Sequence, residues 1–173
     1  LLANIITISR LIALFLLVPP LLLEGFAYKI FALVVFTYIV FTDWLDGTIA
    51  RKTGTVSKRG AFLDPLADKI VVTSVLIIYT IKGLFWIWPL LIFLIRDFAV
   101  NGIRSLAARK GTIMHASIWG KLKTTLQFIL IYALIISDAG YGLEMTIMIL
   151  TILAVLFSLL SLTHYLWTYA QTN

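Results

Sequence analysis

Residues 43–69 read DWLDGTIARKTGTVSKRGAFLDPLADK. They hold four of the chain's eight acidic residues and five of its fourteen basic ones. On either side, the preceding run IFALVVFTYIVFT (30–42) and the following run IVVTSVLII (70–78) carry no charge at all. Both are long enough, with their neighbours, to form membrane spans. A charged side chain in lipid costs about 3 kcal/mol or more unless it is paired, hydrated or metal-bound. Four carboxylates at the mouth of two spans are therefore expected to be put to use.

The wider composition supports a bilayer as the solvent. Of the 173 residues, 61% are hydrophobic and the mean hydropathy is +1.04, against roughly 45–50% apolar residues in a soluble domain. The expected fold is all-α: an integral membrane bundle of six transmembrane helices in one domain, 1–173. At roughly 20 residues per span, these fall at 4–23, 28–50, 60–81, 85–108, 118–137 and 143–169. Pro19 and Pro20 lie where the first span can stop or kink. Trp86 and Trp88 read as an interface belt. The first 23 residues lack the basic start and the small-residue cleavage site of a secretory leader, so none is expected. The chain has no cysteine, which removes disulfides and thiolate metal sites. The net charge of +6 is assigned to cytosolic loops and anionic lipid rather than to nucleic acid.

Orientation follows from the basic residues. With the N-terminus inside, eleven Lys and Arg residues gather at the inner ends of the spans, and only Lys29 and Lys82 lie at the outer turns. The positive-inside rule then predicts both termini and the charged mouth in the cytosol. Depth adds a second constraint. Asp43 is 14 residues from Lys29, Asp68 is 14 from Lys82, Arg10 is 14 from Glu24 and Lys123 is 15 from Asp138. At about 1.5 Å per residue, four spans carry a charge at one level, roughly 8–10 Å inside the cytosolic edge of the ~30 Å core. The expectation is a polar, metal-binding chamber near the cytosolic face, suited to a substrate with a soluble head and a lipid tail.

The carboxylates suit a hard metal. Asp43 and Asp46 are three residues apart and Asp64 and Asp68 four apart, so each pair shares a helix face. Carboxylates converging at one depth repel unless a cation intervenes. All-oxygen ligation without Cys or a nearby His favours Mg²⁺ or Mn²⁺, and two such ions are suited to a phosphoryl centre. The plainer alternative is structural ion pairing with Arg51, Lys52, Arg59 and Lys69, but a buried ion cluster is weak support for stability. Gly47 allows a ligand to approach the backbone, or simply close helix packing. Pro65 opens or kinks the helix that carries Asp64 and Asp68.

The pattern Asp43-x-x-Asp46-Gly47-x-x-Ala50-Arg51, eight residues, then Gly60-x-x-x-Asp64-x-x-x-Asp68 resembles the signature of the CDP-alcohol phosphotransferases. Asn4-x-x-Thr7-x-x-Arg10, Asp64-Pro65-Leu66-Ala67-Asp68-Lys69 and Gly120-Lys121-x-Lys123-Thr124 are similar to the bacterial branch whose acceptor is sn-glycerol 3-phosphate. Arg96-Asp97 departs from that branch, where Arg-Glu is expected. The resemblance implies transfer of a phosphatidyl group from CDP-diacylglycerol to the acceptor, with release of CMP, in phospholipid biosynthesis. It implies that Asp43, Asp46 and Asp64 hold metal and that Asp68 completes the second ion's shell and acts as general base. Gly47, Arg51 and Ser57 would line the CDP site, with Asn4, Thr7 and Arg10 contributing. A homodimer in the bacterial inner membrane is expected on the same ground.

An acceptor that carries its own phosphate needs separate cations. Lys121, Lys123 and Arg104 are the candidates, with Arg59 behind them; the alternative is that they anchor the inner membrane edge. Lys121 and Lys123 open the fifth span, where free backbone N–H groups also favour an anion. Arg96 and Asp97 are adjacent, about 100° apart on a helix, so they are expected not to pair but to form a structural polar stripe or a dimer contact. His115 and His164 read as loop and interfacial residues, not ligands. Two rival functions stay open. One is the same chemistry on inositol phosphate, serine or phosphatidylglycerol. The other is a divalent-cation or proton-coupled transporter, which intramembrane carboxylates also allow, though the chain shows no internal repeat.

Overall fold

The structure, a computed structural model, describes residues 2–53, 60–110, 112, 114 and 117–171. Within its helices, the side chains of residues 2–8, 11, 44, 46–53 and 60–68 lie outside that description. The described chain is all-helical, with six helices: α1 Leu2–Leu22, α2 Phe26–Thr53, α3 Gly60–Ile81, α4 Ile87–Arg109, α5 Ile118–Asp138 and α6 Glu144–Gln171. Short turns join the helices at one end of the bundle, so neighbours run antiparallel. Gly83 supports the α3–α4 turn with φ +74, a backbone conformation that costs a side chain and not glycine. Leu84 N–H and Phe85 N–H both return to the Tyr79 carbonyl across that turn, at 3.0 and 3.1 Å.

Three helical stretches are long and apolar enough to cross a membrane: Phe26–Asp43, Ile118–Asp138 and Glu144–Gln171. Ile12–Leu22 and Lys69–Ile81 are shorter apolar runs among the described residues. The fourth helix carries Arg96, Asp97 and Arg104 within its length. The 28 residues of α2 extend about 42 Å, enough to span the ~30 Å hydrocarbon core with length to spare. Pro19 and Pro20 do not end α1, which continues through both to Leu22.

α5 sits centrally, packed on α6 and touching α2 and α3, while α1 packs on both α2 and α3 and α4 on α6. Leu17, Leu21, Phe36, Leu76, Leu130, Ile131 and Leu134 form the dry centre of this packing. Phe36 meets Phe128 and Tyr132 edge-on, at 6.1 and 5.0 Å between ring centroids. Large apolar side chains cover the outside, with Phe15 78% and Phe98 75% exposed. Water would not tolerate so extensive an apolar surface; lipid does. The molecule is a membrane-spanning helical bundle.

One end of the bundle is tied by a charge cluster. Lys29 of α2 is 1% exposed and donates to the carbonyls of Pro20, Leu21 and Leu23, at 3.1, 3.1 and 2.7 Å. These are carbonyls at the C-terminal end of α1, which have no partner inside the helix. Its ammonium also lies 2.8 Å from Asp138 at the end of α5. Lys82, just past the end of α3, bonds the same carboxylate and the Leu21 carbonyl. Asp138 thus ties together Lys29 and Lys82, and the two lysines hold the end of α1.

Candidate functional site

At the opposite end of the bundle a chamber of about 540 Å³ is bounded by α2, α3, α4, α5 and α6. Asp43 enters it from α2, Lys69 from α3, Asn101 and Arg104 from α4, Lys121 and Thr124 from α5, and Tyr165 from α6. Among the described residues the lining holds one carboxylate, Asp43, against Lys69, Arg96, Arg104 and Lys121. The described wall is thus rich in cations.

Arg10 and Asp43, placed at one depth by counting along α1 and α2, are in contact. The Arg10 guanidinium donates to Asp43 Oδ1 at 2.9 Å. Arg10 is fully buried, whereas the Asp43 side chain is 32% exposed. Arg10 therefore stands behind Asp43 and orients it, leaving part of the carboxylate open to the chamber. Asp46 lies one turn further along α2, and Asp64 and Asp68 lie in α3 before Lys69. The side chains of Asn4, Thr7, Asp46, Gly47, Arg51, Asp64 and Asp68, and all of Ser57, Arg59 and His115, lie outside the described residues. Among the described residues no three His, Asp or Glu side chains gather as a metal site.

The expected acceptor cations divide. Arg104 and Lys121 both line the chamber. Lys123 does not reach it in the same way: it is 3% exposed, and its ammonium bonds both oxygens of Asp97, at 3.0 and 2.8 Å. The ammonium also lies over the Phe93 ring, 5.6 Å from the centroid. The expectation that Arg96 and Asp97 do not pair is corrected, because Arg96 Nη1 donates to Asp97 Oδ1 at 2.8 Å. The helical angle separates the Cβ atoms, but the long methylene stem lets the guanidinium swing across it. Arg96 also bonds Ser161 of α6. The two residues thus join α4 to α5 and α6 inside one chain.

The N-terminus of α5 is built into the same network. Ser117 caps it, accepting from Gly120 N–H at 3.1 Å. The Tyr165 hydroxyl accepts from Ser117 N–H at 3.0 Å, and the Ser117 and Ser161 hydroxyls are 3.2 Å apart. A Cβ on Gly120 would come within 3.2–3.3 Å of Arg96, Ser117 and Ser161, so this approach favours glycine. Lys69, Asn101, Thr124 and Tyr165 also line the chamber, and the sequence reading assigns none of them to it. Lys69 and Thr124 carry a signal, as each is the last residue of a quoted motif. Tyr165 carries none, since α6 is distant in sequence and largely apolar.

The fold and this site define a membrane-embedded helical bundle with a charged chamber at one end. The sequence model of the CDP-alcohol phosphatidyltransferase family matches residues 1–160, and the chain belongs to that family. A CDP-diacylglycerol–glycerol-3-phosphate 3-phosphatidyltransferase of Bacillus subtilis is 41% identical over 102 residues, covering 59% of this chain and 53% of that protein. One of the same description from Haemophilus influenzae is 36% identical over 129 residues, covering 72% of this chain and 69% of its own. A probable phosphatidylglycerophosphate synthase of Mycobacterium tuberculosis is 36% identical over 146 residues, covering 80% of this chain and 68% of its own. The chain spans about half the length of several of the curated relatives it matches.

Proposed function

We propose that this protein transfers the phosphatidyl group of CDP-diacylglycerol to sn-glycerol 3-phosphate, forming phosphatidylglycerol phosphate and CMP. The observation that carries the reading is the family signature from Asp43 to Asp68 beside a cationic chamber. The relatives bearing the glycerol-3-phosphate name favour that acceptor over another alcohol. Residues 1–173 form one membrane domain in this reading, with both termini and the chamber on the cytosolic side of the inner membrane, and two chains form a homodimer.

The family depends on divalent metal. The donor set fits: Asp43 presents an accessible carboxylate at the chamber wall, and Asp46, Asp64 and Asp68 would supply further hard oxygen ligands for Mg²⁺ or Mn²⁺. When bound, two such ions neutralise the pyrophosphate and the charge developing on it. Arg10 holds Asp43 in place. Gly47, Arg51 and Ser57, with Asn4 and Thr7, bind the cytidine diphosphate end, Arg51 by charge-assisted hydrogen bonds. Arg104 and Lys121 take the acceptor phosphate, with Arg59 beside them; Lys123 contributes through Asp97. Asp68 removes the proton as the acceptor hydroxyl attacks the phosphorus that bears the diacylglycerol. The P–O bond to the departing cytidylate breaks, and CMP leaves with that bridging oxygen.

The test is CMP release by purified protein with Mg²⁺ and CDP-diacylglycerol, adding one acceptor at a time. Release only with glycerol 3-phosphate, abolished by EDTA and restored by Mg²⁺ or Mn²⁺, is expected. Release only with inositol phosphate or serine would overturn the acceptor assignment. Metal transport into sealed vesicles without CMP release would overturn the enzyme.

A further inference from the structure

Five polar residues outside the metal signature form one continuous chain through the bundle. Lys123 of α5 donates to Asp97 of α4; Arg96 donates to Asp97 and to Ser161 of α6; Ser161 meets Ser117, the cap of α5. Lys123, Arg96, Ser117 and Ser161 are all buried. Burying such ions is a poor route to stability, because desolvation offsets most of the Coulomb gain. Their best-attested use is to fix register between packed elements.

The register fixed here is the one the chamber needs. Asp97 and Arg104 are seven residues apart, so they lie on nearly the same face of α4, two turns from each other. Lys121 is two residues before Lys123 on α5. Holding Asp97 against Lys123 therefore sets both the rotation of α4 and its height against α5. That setting brings Arg104 and Lys121 to a common chamber. The chamber's described lining includes Arg96 but not Asp97. Asp97 instead lines, with Lys123 and Gln127, a neighbouring cavity of about 190 Å³.

We propose that Asp97 is a positioning residue for the acceptor half of the chamber, holding α4, α5 and α6 in the register that brings Arg104 and Lys121 into one chamber. This inference rests on the proposed transfer to a phosphorylated acceptor. Its test has two parts. In the first, Asp97→Asn is expected to raise KM for glycerol 3-phosphate about tenfold, with KM for CDP-diacylglycerol within about twofold. Asp97→Glu, which keeps the charge, restores most of the loss. Ser161→Ala, a milder cut in the same chain, raises the acceptor KM about threefold and serves should Asp97→Asn fail to fold. Equal rises in both KM values, or no change in the acceptor KM for the folded variants, would overturn the proposal.

The second part does not depend on activity. The chain has no cysteine, so spin labels can be placed at Arg104→Cys and Lys121→Cys alone. A narrow interlabel distance distribution is expected when Asp97 and Ser161 are intact. A broadened or shifted one is expected once Asp97→Asn or Ser161→Ala is added; identical distributions overturn the positioning role. No CMP release by the wild-type protein with any acceptor, together with the shift in the doubly labelled variants, would refute the transfer and leave the register role standing.

Discussion

Among single residues, Asp43 shows how a carboxylate can be both costly and useful. Arg10 takes one oxygen at 2.9 Å from a fully buried position, so the charge is compensated from behind. The exposed part of the carboxylate remains toward the chamber. Asp68 has a different task in the proposed reaction, which is to accept a proton. Asp68→Asn keeps the shape and removes the basic oxygen. Turnover should fall by about 10²–10⁴, with the helical signal and thermal unfolding unchanged; wild-type turnover would remove Asp68 as the base. Counting residues from the turns finds the Arg10–Asp43 level, because a straight helix converts sequence separation into depth. The same reasoning fails for Arg96 and Asp97. A helical angle fixes the Cβ direction but not where a long guanidinium ends. Lys123 escapes the sequence reading for a related reason: its position marks the chamber's depth, while its side chain is committed to Asp97.

At the level of helices and turns, charge clusters occupy both ends of the bundle. The Lys29–Asp138–Lys82 cluster binds α2, α5 and α3 and satisfies terminal carbonyls of α1. These residues read in sequence as ordinary charges at outer turns, because nothing local reveals that three turns converge. The helices themselves are legible, since apolar runs of about 20 residues between short polar turns allow few other structures. Pro19 and Pro20 do not stop α1, which runs on to Leu22, close to the expected end at 23. Asp138→Asn leaves two ammonium groups facing each other, with Lys29 only 1% exposed. Breaking a buried ion pair costs about 3–5 kcal/mol, so thermal unfolding should begin at clearly lower temperature. Because the chamber lies at the other end, acceptor KM measured well below that temperature should stay near wild type. An unchanged unfolding curve would show that the cluster is not a clamp.

Across the full bundle, the two ends differ in charge balance. One end closes on a single carboxylate shared by two lysines. The other carries Lys69, Arg96, Arg104 and Lys121 around a cavity, with Arg51, Lys52, Lys58, Arg59, Arg109 and Lys110 in the adjoining sequence. The positive-inside rule reads this asymmetry as orientation, and the proposed chemistry requires the same orientation, since glycerol 3-phosphate is a soluble anion supplied from the cytosol and CMP is released there. The two arguments are independent, as one concerns membrane insertion and the other substrate supply. Exposed positions at opposite ends test them together: Glu24 lies in the α1–α2 turn and Arg109 at the end of α4. In spheroplasts, a membrane-impermeant maleimide should label Glu24→Cys directly and Arg109→Cys only after the membrane is opened. The reverse pattern would put the chamber on the outer face, away from its nucleotide substrate, and the proposed transfer would fall with the orientation.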